Sequence, residues 1–269
     1  MTVAPFSPAW FLMLAAATFF GIGVHLWLRG RDRQMQRRVM TLLAVGLLIS
    51  TTVFTIQRAM DPRFAFALTQ NLPLHFCSMV PFMLIPAFWL GEGTWVGRLR
   101  ALLFYPGIAG AVLAIMAPAA EYIGLPLFSM NSFFYLDHLG NVVLGALMVS
   151  LGFYRPTVRG SFGSLVSFFA VNMAVFPVTL ALRAWVDPAA NYFFNFNPEG
   201  SDIFVALWNV IPIPLVYQLP LLVLIIPILL LQYAIYRGLV AWSPFDRLSR
   251  MQPASMSATD TDQELAAAI

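Results

Sequence analysis

The sequence predicts an all-α polytopic membrane protein of about seven transmembrane helices, with its N-terminus outside the cytoplasm and its C-terminus inside. Three observations predict it. Of the residues, 60% are apolar and 10% charged, with a mean hydropathy of +0.79, whereas a soluble domain is about half apolar and a quarter charged. The apolar residues fall into runs of about 20, the length that crosses a bilayer as a helix satisfying its own backbone hydrogen bonds. Arginines between the runs alternate in density from one connector to the next.

The first run, 9–28, has no basic stretch before it and no small-residue cleavage site after it, so it reads as a retained helix and not a signal peptide. The runs 39–57, 73–90, 100–120, 133–153, 163–185 and 211–236 complete the set. Short connectors make 1–248 one transmembrane domain, while the polar tail 249–269 is expected to be disordered and cytoplasmic. The stretch 187–204, rich in Asn, Phe and Pro, reads as an ordered outer loop, and Pro212, Pro214, Pro220 and Pro227 must kink or break the last run. Trp10, Trp27, Trp89, Trp95, Trp185, Trp208 and Trp242 fall near run ends, as an interfacial belt requires.

Charge sets the orientation. The connector from Arg29 to Arg38 is the densest basic stretch, and the positive-inside bias puts it in the cytoplasm. Alternation then places Arg98, Arg100, Arg155, Arg159, Arg237, Arg247 and Arg250 on the same side, leaving Arg58, Arg63 and Arg183 outside. Since every basic side chain is an arginine used this way, the basic balance is a topology signal and not a nucleic-acid footprint. The single cysteine, Cys77, excludes an internal disulfide framework and a multi-cysteine metal site.

Polar groups at membrane depth are costly and mark function unless a partner makes them packing devices. Here they gather at outer ends. The third run opens Pro73-Leu74-His75-Phe76-Cys77, the fifth carries Asp137, His138 and Asn141, the second ends in Gln57 and Arg58, and Asn191 and Tyr192 precede the last. Gln218 lies among the prolines of that last run, where it can bond freed carbonyls or face a pocket. Segments far apart in sequence thus bring His, Cys, Asp, Asn, Tyr and Arg to one depth, against the bland reading of side chains snorkelling to headgroups. A thiol at a helix N-terminus beside a histidine can act as a nucleophile. If the helix starts at Pro73, His75 and Cys77 diverge by about 200° and His138 is the better base. If Pro73 begins an extended segment, His75 shares the side of the thiol.

Leu72-Pro73-Leu74-His75-Phe76-Cys77, the histidine in Phe134-Tyr135-Leu136-Asp137-His138, and Asn191-Tyr192 resemble the YwaF-type family of bacterial integral membrane proteins. That family is related to a eukaryotic multi-pass phospholipid acyltransferase described as transmembrane protein 164. The resemblance covers most of the chain. It implies acyl transfer between membrane phospholipid and lysophospholipid in a bacterial inner membrane, with Cys77 as nucleophile, His75 and His138 as candidate bases, and no cofactor. Asn141 and Asn191 are candidate oxyanion donors; Asp137, Tyr192, Gln57, Arg58 and Gln218 are candidate substrate contacts. Asn195 and Asn197 stand where a basic residue is expected after the Asn-Tyr pair.

Two other classes compete. A transporter or small-molecule receptor fits the helix count, although coupled transport usually places its ionisable residues at the midplane, and retinal is excluded because no lysine exists to form the Schiff base. A metal or haem protein would use His75, His138 and the thiol, without the ligand-rich pattern such sites carry.

Overall fold

The computed structural model describes residues 2–60, 72–118, 123, 125–126, 130–198 and 202–242. Eight α-helices run through them: α1 (Pro8–Leu28), α2 (Arg33–Met60), α3 (Phe76–Trp89), α4 (Thr94–Met116), α5 (Met130–Ser150), α6 (Val158–Trp185), the short α7 (Asp202–Val210) and α8 (Leu221–Trp242). Six are long and apolar enough to cross a membrane. Six of the seven expected runs contain such a helix and the third holds only the shorter apolar α3, so by that measure the chain is an integral membrane protein. The tail 249–269, Arg63, Arg247 and Arg250 lie outside the described residues.

Local chemistry explains the boundaries. Ser7 caps α1 by accepting from the Trp10 amide at 3.3 Å, with Pro8 in the first turn where its missing N–H is no loss. Thr157 caps α6 through the Gly160 amide at 2.9 Å. The last expected run is helical only from Leu221, because Pro212, Pro214 and Pro220 remove amide donors and leave a 3₁₀ turn at Val216–Gln218. The expected loop 187–204 holds a 3₁₀ turn at Tyr192–Phe194, and α7 begins at its end.

The third run differs most. Residue His75 is extended (φ −72°, ψ 144°) and caps α3 from outside, so the helix has only 14 residues. At about 1.5 Å each these span about 21 Å, against about 30 Å of hydrocarbon.

Around α5 the other helices come very close. A methyl group added at Gly140 would meet Leu47 of α2 at 2.5 Å, one at Gly145 would meet Ile108 of α4 at 2.8 Å, and one at Gly21 of α1 would meet Val143 at 3.3 Å. Two short strands, β1 (Thr2–Val3) and β2 (Leu125–Pro126), pair antiparallel and join the start of the chain to the segment before α5. Trp10 is 6% exposed and donates to the Ile115 carbonyl at 3.1 Å, so it belongs to the core and not to an interfacial belt.

The arginines that set the charge bias also close helix ends. Arg33 donates to the Leu151 and Gly152 carbonyls, each at 2.9 Å, just past α5. Arg100, buried in α4, donates to the Ala87 and Leu90 carbonyls at the end of α3 and pairs with Glu92 at 3.4 Å. By contacts the chain forms two units, Met1–Leu230 and Leu231–Ile269. The first contains every candidate site residue; the described part of the second is helical, with Tyr233 and Tyr236 rings 6.4 Å apart.

Candidate active site

Cys77 is the second residue of α3 and shares a face with Val80, Pro81, Leu84 and Phe88, all buried. The half-buried thiol therefore faces the helix bundle. Proline at position 81 has no amide to offer the carbonyl four residues back, which is that of Cys77. Asn141 of α5 fills the gap: its Nδ2 donates to the Cys77 oxygen at 3.2 Å. One proline thus opens the backbone at the candidate nucleophile, and one asparagine from another helix closes it. The amides of Phe76 and Cys77 stand in the first turn, where no helical carbonyl receives them.

At about 100° per residue, Asp137 and Asn141 lie on nearly one face of α5, and His138 is rotated toward the face of Gly145 that abuts α4. The His138 Nδ1 lies 2.7 Å from the Phe134 carbonyl, which can only accept, so the proton is on Nδ1 and the Nε2 lone pair is open. Its ring packs 4.3 Å from that of Phe134. Asp137 is buried, within electrostatic range of the thiol and nearest the Ser50 and Thr51 hydroxyls.

His75 sits in a different setting. Its ring lies 5.2 Å from that of Tyr192 and 5.7 Å from that of Phe194, and the charge of Arg58 acts on it, with Gln57 exposed beside Arg58. Neither sequence alternative holds as stated: Pro73 and Leu74 form a turn, only His75 is extended, and its ring packs on Tyr192 and Phe194 of the 187–198 segment. Among the described residues neither imidazole is hydrogen-bonded to the thiol.

Internal bonds fix the loop. Asn191 Nδ2 donates to the Asn197 carbonyl and side-chain oxygens at 2.9 and 3.0 Å, and its Oδ1 accepts from the Phe196 amide at 2.9 Å, so its side chain serves the loop itself. Gln218 Nε2 donates to the carbonyls of both Phe193 and Phe194 at 2.8 Å, and Tyr217 also donates to that of Phe194. Those two phenylalanines have positive φ, 55° and 56°, a conformation unfavourable for bulky side chains that persists where surroundings enforce it. Asn195 donates to Asn172 of α6 at 2.7 Å.

A model of the TMEM164 family matches residues 5–233. The chain belongs to the TMEM164 family. No curated protein and no solved structure matches it. In this member of the TMEM164 family the match spans every candidate residue, from Gln57 to Gln218.

Of those residues, the fold joins Cys77 to Asn141 by a hydrogen bond, and His75 to Tyr192 by ring packing. Gln218 stands one step behind Tyr192, through the backbone of the loop. Sequence reasoning missed Ser50, Thr51 and Asn172, hydroxyls and an amide inside apolar runs with no local signal. It also missed the role of Pro81, which its spacing from Cys77 could have revealed. A shallow apolar groove of about 270 Å³ is lined by Pro73, Met79, Phe82 and Met83. Its three helical residues lie on the face of α3 opposite Cys77, so it is not a pocket for the thiol.

Proposed function

We propose that this chain is a bacterial plasma-membrane acyltransferase that moves an acyl chain from a phospholipid to a lysophospholipid or another alcohol through a thioester on Cys77, without a cofactor. The arginine bias puts the N-terminus and the site on the extracytoplasmic side, where acyl-coenzyme A is absent. One observation carries the reading. His138 is held in the tautomer that leaves Nε2 free to take a proton, on the helix whose Asn141 fixes the Cys77 backbone. Catalytic hydrogen bonds are often long before substrate binds, so the absence of a thiol–imidazole bond is compatible with that role.

The sulfur attacks the ester carbonyl while His138 Nε2 takes the thiol proton. The proton passes to the departing lysolipid oxygen as its bond to the carbonyl carbon breaks, and the acyl group stays on sulfur. Attack of a second alcohol forms the new ester, and its proton ends on the thiol. The Phe76 and Cys77 amides are the donors best placed for the oxyanion, and one such donor lowers the barrier by about 3–4 kcal/mol.

The test is intact-mass measurement of purified protein incubated with a labelled phospholipid. An acyl adduct should form on the wild type and not on Cys77→Ser. Equal labelling of both, or lipid turnover without any adduct, removes Cys77 from the reaction.

A further inference from the structure

The tight crossing of α2 and α5 at Leu47 and Gly140 fixes which side chains meet beside it. The helices run antiparallel there. One turn beyond Leu47 come Ser50 and Thr51, and one turn before Gly140 comes Asp137, so the three are level. One turn after Asp137 and next to Gly140, Asn141 is tied to the Cys77 carbonyl. The Asp137 carboxyl lies within electrostatic range of the Cys77 thiol.

This cluster is buried, and among the described residues it is not fully hydrogen-bonded. Ser50 is 5% exposed, Asp137 8% and Asn141 2%. Ser50 Oγ, Asp137 Oδ1 and Asn141 Oδ1 have no hydrogen-bond partner among the described residues. The Thr51 hydroxyl proton is taken by the Leu47 carbonyl at 3.1 Å. Asp137 lies within reach of the Ser50 and Thr51 hydroxyls, and among the described residues its Oδ1 and the Asn141 Oδ1 remain open to a further donor. Buried polar atoms without partners mark a place for something else. An ester carbonyl brings no donor, and a phosphate would meet the carboxylate as a like charge. An ammonium would leave its hydration shell at membrane depth at high cost. A neutral alcohol brings one donor and can accept from Ser50.

We propose that Asp137, with Ser50, forms the acceptor-alcohol site and that Asp137 is the base of the second half-reaction. It rests on the thioester reading above and assigns a separate base to each half. The alcohol of the acceptor donates to Asp137 Oδ1. As its oxygen bonds to the thioester carbon, the proton moves to the carboxylate, and as the carbon–sulfur bond breaks Asp137 returns that proton to the Cys77 sulfur. The products are the new ester and the free thiol, with the carboxylate restored.

The experiment separates the halves. Protein in phosphatidylcholine vesicles with a labelled acyl chain is followed for adduct on Cys77, then given lysophosphatidylcholine or monoacylglycerol and followed for new ester. Asp137→Asn should still form the adduct on Cys77 but pass it on about 100-fold or more slowly, so that adduct accumulates. Ser50→Ala should slow the same step less. Equal slowing of both halves by Asp137→Asn overturns the assignment, as does a defect confined to the acceptor with the choline headgroup, which would make the site one for a cationic headgroup. If Asp137→Asn does not fold, Ser50→Ala decides: wild-type transfer in that variant also overturns it. Wild-type protein that turns lipid over without adduct sinks the thioester reading itself, before any variant is compared.

Discussion

The bond between Asn141 and the Cys77 carbonyl permits a quantitative test, because the cause of the free carbonyl is a single residue. Replacing Asn141 with Leu keeps the volume and removes the donor. The buried carbonyl then has neither Asn141 nor an amide from position 81, and an unsatisfied group of this kind costs about 1–3 kcal/mol. In a Pro81→Ala background the new amide donates to the Cys77 oxygen, and Asn141 is no longer needed. The double-mutant cycle should therefore give a coupling of about 1–2 kcal/mol, with Asn141→Leu costly alone and nearly neutral beside Pro81→Ala. Equilibrium unfolding in mixed detergent micelles measures all four proteins, and the cycle cancels whatever Pro81→Ala does to helix propensity. A coupling within about 0.5 kcal/mol of zero would refute the claim that Asn141 replaces the missing amide.

Other predictions follow from the same geometry. His138→Ala should slow adduct formation on Cys77 by about 10²–10⁴-fold, and His75→Ala by less, since of these two His138 is the one whose Nδ1 is bonded among the described residues, leaving Nε2 to take a proton; stopped-time mass measurement ranks them, and the reverse order would make His75 the base. Gly140→Ala should destabilise by about 1–3 kcal/mol through contact with Leu47 at 2.5 Å, and should cost much less in a Leu47→Ala background, as thermal melts of the four proteins would show. Gln218→Leu should release the Phe193 and Phe194 carbonyls and raise amide exchange across 191–197, with α5 unaffected.

The sequence shows the helices more clearly than the site, for a physical reason. A bilayer imposes the same length and composition on each span, and runs such as 9–28 and 163–185 can be read without knowing their neighbours. The third run was legible as a run but not in its start, because Pro73 suits both a first helical turn and the extended approach that His75 adopts. Site residues depend on which faces meet. Asn141 reads as an oxyanion donor from its type and depth, whereas its amide is on the Cys77 backbone, a role that appears only when Pro81 is counted four residues on. Asn191 reads the same way, and its bonds close within the loop. Ser50 and Thr51 look like ordinary small residues of an apolar helix until the crossing at Gly140 sets them beside Asp137.

The aromatic loop over the short α3 decides what kinds of chemical can find the sulfur. Tyr192 and Phe194 lie against His75, and Phe193 packs on Phe76, so hydrocarbon covers the approach where an open helix end would meet water. Alkylating agents should then sort by oil solubility: an uncharged maleimide dissolved in the bilayer modifies Cys77 quickly, and a sulfonated one added to the aqueous phase modifies it slowly. The same sorting would protect a bound acyl group from hydrolysis, leaving membrane-dissolved alcohols as its principal acceptors.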